Sequence, residues 1–350
     1  MEAIMAHLSR QQISDFFSKT APITQQQCDQ EAERITGGSV QPAPVQGGAS
    51  YTVLADDGTL VVQFRAGRSA LDLDLVGYIK QTYGSFVPRH DIAGRLGELH
   101  VYTMDNVGGV AMYLARERLH QHNCYLLRQT VQDFASFFAS AWHNTPSSMP
   151  CPSRNSLFSQ YSSQLSELVQ GLPDRFRPSL EYLTAQLPRL FVEDWPLVPN
   201  HNDLLENNIH VNPETGQIVG ICDWRDTTIG PFGMSLGGLE TMLGIRRMRG
   251  WCYHLNQQEL RDLFWVTFYN AIGKFSEELR DLIEVARLVG IFIENGFEGD
   301  GNGNRVPASE GNETLDYLGA VTLGVSAYTE QNAKLATKLS PGGHQAIVSS

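Results

Sequence analysis

The stretch PNHNDLLENNIHVNPETGQIVGICDW, Pro199 to Trp224, carries the densest pattern in the chain. It holds H-x-D-x-x-x-x-N as His201, Asp203 and Asn208. Two short apolar runs follow, Ile209 to Val211 and Ile218 to Cys222, separated by Asn212-Pro213-Glu214-Thr215-Gly216. Asn, Pro and Gly favour turns, so the segment reads as a polar loop and then a hairpin. The second run ends in Ile221-Cys222 and passes into Asp223-Trp224. A lone H-x-D means little, because Asp and Asn gather in turns anyway. The joint pattern of loop, hairpin and Asp-Trp carries the weight. His210, on the first of the two runs, reads as an ordinary strand residue.

Upstream of this segment the pattern is β-rich. Tyr51–Leu54 and Leu60–Phe64 read as strands around a turn that contains Asp57-Gly58. Leu99–Met104 reads as another strand, broken at Asn106–Gly109. Residues 69–83 have helical periodicity, and the first 35 or so residues read as helix. Residues 35–50 are rich in Gly, Pro and Ser and cannot be helical throughout. From about residue 110 long amphipathic stretches take over and continue to about residue 337, interrupted at 298–313 by a surface loop. A small β-rich region followed by a large helical one is the architecture expected.

Composition sets the outer limits. The chain has 350 residues, 42% hydrophobic and 18% charged, which describes a globular protein. A net charge of -12 argues against a nucleic-acid binder, because no broad face would attract a polyanion. Five cysteines without a CxxC pair fit reduced thiols in the cytoplasm better than a disulfide framework or a zinc site. The amino-terminal stretch lacks a signal-peptide core. No apolar run approaches the roughly 18 residues that a membrane span needs.

The segment 199–224 resembles the catalytic loop and metal-binding strand of aminoglycoside phosphotransferases, choline kinases and related small-molecule kinases. It looks closest to fungal members. In that family the loop reads H-G-D-x-x-x-x-N and the strand ends in I-D-W or I-D-F. The resemblance covers roughly residues 45–245. It implies an α+β, protein-kinase-like bilobal fold. The N-terminal lobe would span 1–105 and the helical C-terminal lobe 106–340, with the catalytic loop at 199–226 and a flexible tail at 341–350. It also implies ATP and Mg2+ as cofactors and a small-molecule hydroxyl as acceptor.

Carried over residue by residue, the resemblance makes Asp203 the base that orients the attacking hydroxyl. His201 would orient the loop. Asn208 and Asp223 would be the magnesium ligands, and Asn207 would brace the turn. PVQGGASYTV (44–53) stands where the nucleotide-covering loop belongs, with Gly47, Gly48 and Ser50 beside the phosphates. VVQFR (61–65) stands where relatives carry a phosphate-pairing Lys, and here the basic residue is Arg65. Arg keeps the charge and adds a planar fork for phosphate oxygens. Asp72 or Asp74, in SALDLDLVGYIK, would brace Arg65 as a helix acid does in kinases. Met104, Asp105 and Val107 would line the adenine hinge.

Two departures stand out. His-Asn-Asp replaces His-Gly-Asp. Ser235 stands where many relatives have a second Asp that anchors the catalytic loop from below. The segment from Asp223 to Gly233 is too short for a protein-kinase activation loop, and no A-P-E triplet follows, which favours a small acceptor over a peptide. Trp142, Trp224, Trp251 and Trp265 are candidates to line the acceptor pocket or to fill the core. A kinase-like binding protein with little transfer, or a fold repurposed for other chemistry, stays open beside the small-molecule kinase.

Overall fold

The computed structural model describes residues 2–247, 250–274, 276–301 and 303–324. The expected end of the helical region at 340 and the tail at 341–350 lie outside them. The chain opens with two helices, α1 (Glu2–Lys19) and α2 (Gln25–Thr36), rather than one. The break has a local cause. Thr24 caps α2 through a reciprocal capping box with Gln27, and left-handed Gly37 closes the other end. Both helices lie on an antiparallel sheet of β1 (Val40–Pro42), β2 (Ser50–Ala55), β3 (Leu60–Ala66), β4 (His90–Leu96) and β5 (Leu99–Asp105), in the order β1-β2-β3-β5-β4. Phe16, Cys28 and Ala32 from the helices meet Tyr51, Val53, Val62, Phe64, Leu99 and Val101 from the sheet in one apolar cluster.

The Asp-Gly turn forms as its chemistry demands. Gly58 takes φ +72°, and Asp57 accepts from the Thr59 amide and hydroxyl. Helix α3 (Leu73–Tyr83) connects β3 to β4. It starts four residues later than the periodicity suggests, because Asp72 caps it by accepting from Leu75 N–H.

The remainder is mainly helical. Strand β6 (Val110–Ala111) joins a three-stranded sheet with β8 (Ile209–Val211) and β9 (Ile218–Ile221). Helices α4 (Met112–Leu119), α5 (Gln121–Asn144), α6 (Arg154–Gly171) and α7 (Arg177–Gln186) precede β7 (Leu197–Asn200), which pairs with β10 (Thr228–Pro231). After the short α8 (Glu240–Leu243) comes a hairpin, β11 (Gly244–Arg247) and β12 (Gly250–Tyr253), where helix was expected. Helices α9 (Gln257–Ile272), α10 (Glu277–Asn295) and α11 (Glu313–Thr322) follow. Strands β13 (Phe297–Gly299) and β14 (Arg305–Pro307) turn the expected surface loop into a second hairpin.

Helix α5 is the axis of the larger core. Leu127, Val131, Phe134 and Phe138 recur at helical spacing and are buried, with Phe134 and Phe138 against Phe264 of α9. The sheet region is fastened to this body through α3. The Tyr83 ring stacks on Phe137 at 4.2 Å, and its hydroxyl donates to the Pro199 carbonyl at 2.6 Å. Burying that phenol with its partner in place ties the sheet region to the loop that follows Pro199.

Candidate active site

Strand β7 delivers the polar loop from a buried start. Asn200 and His201 are 2% and 3% exposed. The His201 ring bridges both sides of the site. Asp203 N–H donates to Nδ1 at 3.1 Å, so the ring proton sits on Nε2 and is donated to the Cys222 carbonyl at 2.8 Å. Burial pushes the His201 pKa down against the pull of that carbonyl and of Asp203, so the ring is neutral at pH 7. Its edge meets Trp224 with ring centres 4.6 Å apart. A neutral ring with both nitrogens engaged holds the loop.

Asn208 closes the loop on Asp203. Its amide nitrogen donates to the Asp203 carbonyl at 2.8 Å and to the carboxylate at 2.9 Å. Its oxygen accepts from Asn207 at 3.0 Å. Cys222 N–H donates to the Asn208 carbonyl at 2.8 Å, so the loop and the end of β9 move as one piece.

Asp223 has φ +60°, a left-handed backbone that costs a non-glycine residue about 1–3 kcal/mol. The reversal separates two side chains with opposite needs. Trp224 turns inward, 3% exposed, and its indole N–H donates to the Ile221 carbonyl. Asp223 turns outward with its carboxylate 51% exposed, 3.4 Å from Arg65.

Arg65 is only 4% exposed. Its Nε donates to Gln63 at 2.6 Å, and its two terminal nitrogens reach the Ser69 carbonyl and Asp223, each at 3.4 Å. Burial pulls its pKa down and the Asp223 carboxylate pushes it back up. The expected brace from Asp72 or Asp74 is not formed. Asp72 is occupied as the cap of α3, and Asp74 is exposed on the first turn of that helix. Gln63 takes the bracing position. Its own amide nitrogen donates to Ser50 at 3.2 Å and to Thr52 at 3.1 Å. Residues 63 and 65 share one face of β3, and that alternation was the available signal for Gln63.

Residues 43–49 link β1 to β2 and contain Gly47 and Gly48. A Cβ added to Gly48 would meet nothing within 4 Å, so this glycine borders open space. Gln46 bolts the loop shut. Its side chain donates to the Ala43 and Thr52 carbonyls and accepts from Thr52 N–H. Ser50 is buried opposite Arg65. Met104 lies opposite Val61 and His90, and Asp105 ends β5. Val107 packs onto β9, where a Cβ on Gly220 would come 2.5 Å from its side chain. Residues 105–110 therefore rest on the hairpin that leads from Asn208 to Asp223.

The sequence profile described as "Phosphotransferase enzyme family" matches residues 44–246, more than half of the chain. The chain belongs to this phosphotransferase family. Its fold is similar to that of a Ralstonia eutropha protein that carries the aminoglycoside phosphotransferase name, at 13% identity and TM-score 0.50, covering 81% of this chain and 88% of that one. An aminoglycoside phosphotransferase from Streptomyces rimosus, solved with ADP and streptomycin, is similar at 14% identity and TM-score 0.46, covering 77% of this chain and 99% of that one. A choline/ethanolamine kinase family protein from Mesorhizobium loti is similar at 13% identity and TM-score 0.47, covering 74% and 78%. No curated protein matches the chain in sequence.

The family's departures have local answers here. Ser235 is buried and donates to the Asn200 side chain at 3.0 Å. The Asn200 amide donates in turn to the Val198 and Pro231 carbonyls. An uncharged pair thus fastens the residue before His201. Asn202 puts its side chain to use, donating to the Asp226 carbonyl at 2.7 Å and to Thr228 at 3.2 Å. Of the tryptophans, Trp224 is core. Trp142 and Trp265 are partly buried against the same core. Trp251 stands half-buried between Tyr253 and Tyr317, with a buried indole N–H that has no hydrogen-bond partner among the described residues. Glu294, near the end of α10, stays open to solvent on one side. Enclosure by the protein, with Asp203 nearby, pushes its carboxyl up to about 8.

Proposed function

We propose that this chain is an ATP- and magnesium-dependent kinase that phosphorylates a hydroxyl group of a small molecule. One observation carries the reading. Asp203 and Asn208 are joined through the Asn208 amide, and Asp223 sits on the same hairpin, facing the one buried cation of the sheet. The residues suit the group they would hold. Asn208 and Asp223 supply an amide oxygen and a carboxylate, hard donors of the kind magnesium takes when phosphates complete its shell. Magnesium bound there would neutralise charge on the phosphates.

Asp203 accepts the proton of the acceptor hydroxyl as its oxygen attacks the γ-phosphorus. The bond to the bridging oxygen breaks and ADP leaves. His201 keeps Asp203 in place through its amide. Arg65 exchanges Asp223 for phosphate oxygens. Gly47, Gly48 and Ser50 cover the phosphates, and residues 104–107 border the adenine. The lobes divide at 105–106. After Asp223 the chain enters β10 by Thr228, which leaves no shelf for a peptide. Nucleotide in the Streptomyces rimosus relative supports ATP as donor. The five free cysteines support a cytoplasmic setting, and no helix among the described residues is long and apolar enough to cross a membrane. The reading 199–224 also supports the affinity with fungal members.

A second reading, a nucleotide binder with little transfer, is favoured by the contact of Arg65 with Asp223, which occupies a metal ligand with a cation. Transfer of labelled phosphate from ATP across a metabolite library separates the two. We expect Asp203→Ala to bind magnesium-ATP like wild type and to lose about 10²–10⁴-fold in transfer. Equal transfer by wild type and Asp203→Ala would remove Asp203 from the chemistry.

A further inference from the structure

Helix α1 lies outside residues 44–246, the stretch matched by the family profile, yet it touches the loop that would cover the nucleotide. Ser9, midway along α1, is buried against the start of that loop. Its hydroxyl donates to the Pro44 carbonyl at 2.9 Å and accepts from Gln46 N–H at 3.3 Å. The Gln46 side chain then spans the Ala43 and Thr52 main chains. The far end of the loop has its own fastening. Ser69 Oγ shares its proton between the Ala49 carbonyl at 2.9 Å and the Ala66 carbonyl at 3.0 Å, and the Ser69 carbonyl is the one that Arg65 reaches. Between these anchor points stand Gly47 and Gly48, both exposed. A Cβ on Gly47 would meet only the Ser50 hydroxyl oxygen, at 3.9 Å, and one on Gly48 would meet nothing within 4 Å. The tip is free of neighbours, and both its ends are tied.

Helix α1 is itself held two turns away from Ser9. Phe16 is buried in the cluster under the sheet, and Phe17 meets the Tyr51 ring edge-on at 5.0 Å. The Tyr51 hydroxyl donates to Asp29 of α2 at 2.6 Å and accepts from Gln25 at 3.0 Å. Nearer the loop the packing opens into a groove of about 770 Å³, bordered by Ser9, Ile13 and Phe17 on one side and by Pro42, Ala43 and Pro44 on the other. The Ser9 hydroxyl, rather than broad apolar packing, connects this part of the helix to the loop.

We propose that Ser9 is a positioning residue of the nucleotide site, through which α1 fixes the base of the Gly47-Gly48 tip over the phosphates. The inference rests on the phosphotransfer reading and adds to it a helix from outside the family-matched residues. Ordering backbone costs entropy, most of all at glycine. With Pro44, Gln46 and Ala49 tied beforehand, the phosphates have only the two glycines left to order. Without the Ser9 hydroxyl, residues 44–46 must also be ordered when the nucleotide binds. Adenine and ribose do not meet this loop and do not share that cost.

Calorimetric titration with two probes tests this: magnesium-ATP, and adenosine, which has the base and ribose but no phosphate. Ser9→Ala should weaken magnesium-ATP binding about three- to tenfold, the range that one lost hydrogen bond gives, and leave adenosine binding as in wild type. Ser9→Thr keeps the hydroxyl and should recover most of the loss. Ser9→Val, alike in shape to the threonine but without the hydroxyl, should not. That pair serves alone if the alanine variant does not fold, with urea unfolding as the check on each protein. Equal magnesium-ATP affinity with and without the hydroxyl overturns the proposal. A matching loss for adenosine also overturns it, because α1 would then support the whole sheet region and not the phosphate loop. Wild type that takes up neither probe sinks the kinase reading and this proposal with it, whereas the other two outcomes remove Ser9 alone.

Discussion

The proposed catalytic loop and the Arg65 strand meet at Asp223 but are built differently. In the loop, main-chain groups hold His201 and Asn208, and Asn208 in turn holds the Asp203 carboxylate. His201 spans the Asp203 amide and the Cys222 carbonyl, and Asn208 returns to the Asp203 carbonyl. On the strand, Arg65 depends on side chains, on Gln63 at 2.6 Å and on Asp223 at 3.4 Å, with Ser69 as a distant main-chain partner. Main-chain bonds hold a residue in one place. A relay of side chains can be exchanged partner by partner. The first arrangement suits a base that must not move, and the second suits a cation that must change partners when phosphate arrives.

Asp223→Ala probes the meeting point and should have the largest effect on binding. Magnesium-ATP affinity should fall roughly tenfold or more, since the proposed magnesium site would lose the carboxylate that Asp223 supplies. Metal-free ATP should bind at least as well as to wild type, because Arg65 loses its competitor. Equal losses for both forms, read by calorimetry, would break the contrast between fixed and exchangeable partners. Gln63→Leu comes next. It strips the brace from a buried guanidinium, an unmet donor worth about 1–3 kcal/mol. The KM for ATP should rise about tenfold with a smaller change in kcat, and Gln63→Glu should recover most of it. A loss in kcat alone would place Gln63 with the loop.

Tyr83→Phe leaves the Pro199 carbonyl without its buried donor. It should cost about 1–2 kcal/mol in urea unfolding. The smallest effect is a pH slope. His254 is neutral in the folded chain down to about pH 4, whereas an unfolded histidine takes its proton near 6.5. The unfolded state therefore binds more protons in that window. The contribution is complete above 6.5 and is lost as pH falls towards 4. His254→Gln should flatten that part of the stability profile, and an unchanged slope would show that His254 is not the source.

What could be read from sequence was local. The turn at Asp57-Gly58, the spacing from His201 to Asn208 and the hairpin to Asp223 each rest on neighbouring residues, and each is present. The errors concern partners or weak patterns. Strand β4 has almost no buried apolar face, because it forms the edge of the sheet, so its alternation is faint. Each strand of the hairpin at β11 and β12 begins with a glycine, yet its apolar residues blend with the flanking helices. Asp72 looked like a brace by position along the chain, but a helix needs a cap and claims it first. No spacing rule reveals that Tyr83 would reach Pro199, 116 positions later.

The bond between Ser235 and Asn200 has a consequence for how turnover should be measured. Neither side chain ionises at any pH an enzyme meets. This part of the loop's footing is therefore silent in a titration. A bell or a step in kcat against pH belongs to the reacting groups or to His201, the ionisable member of the loop's support, and not to this pair.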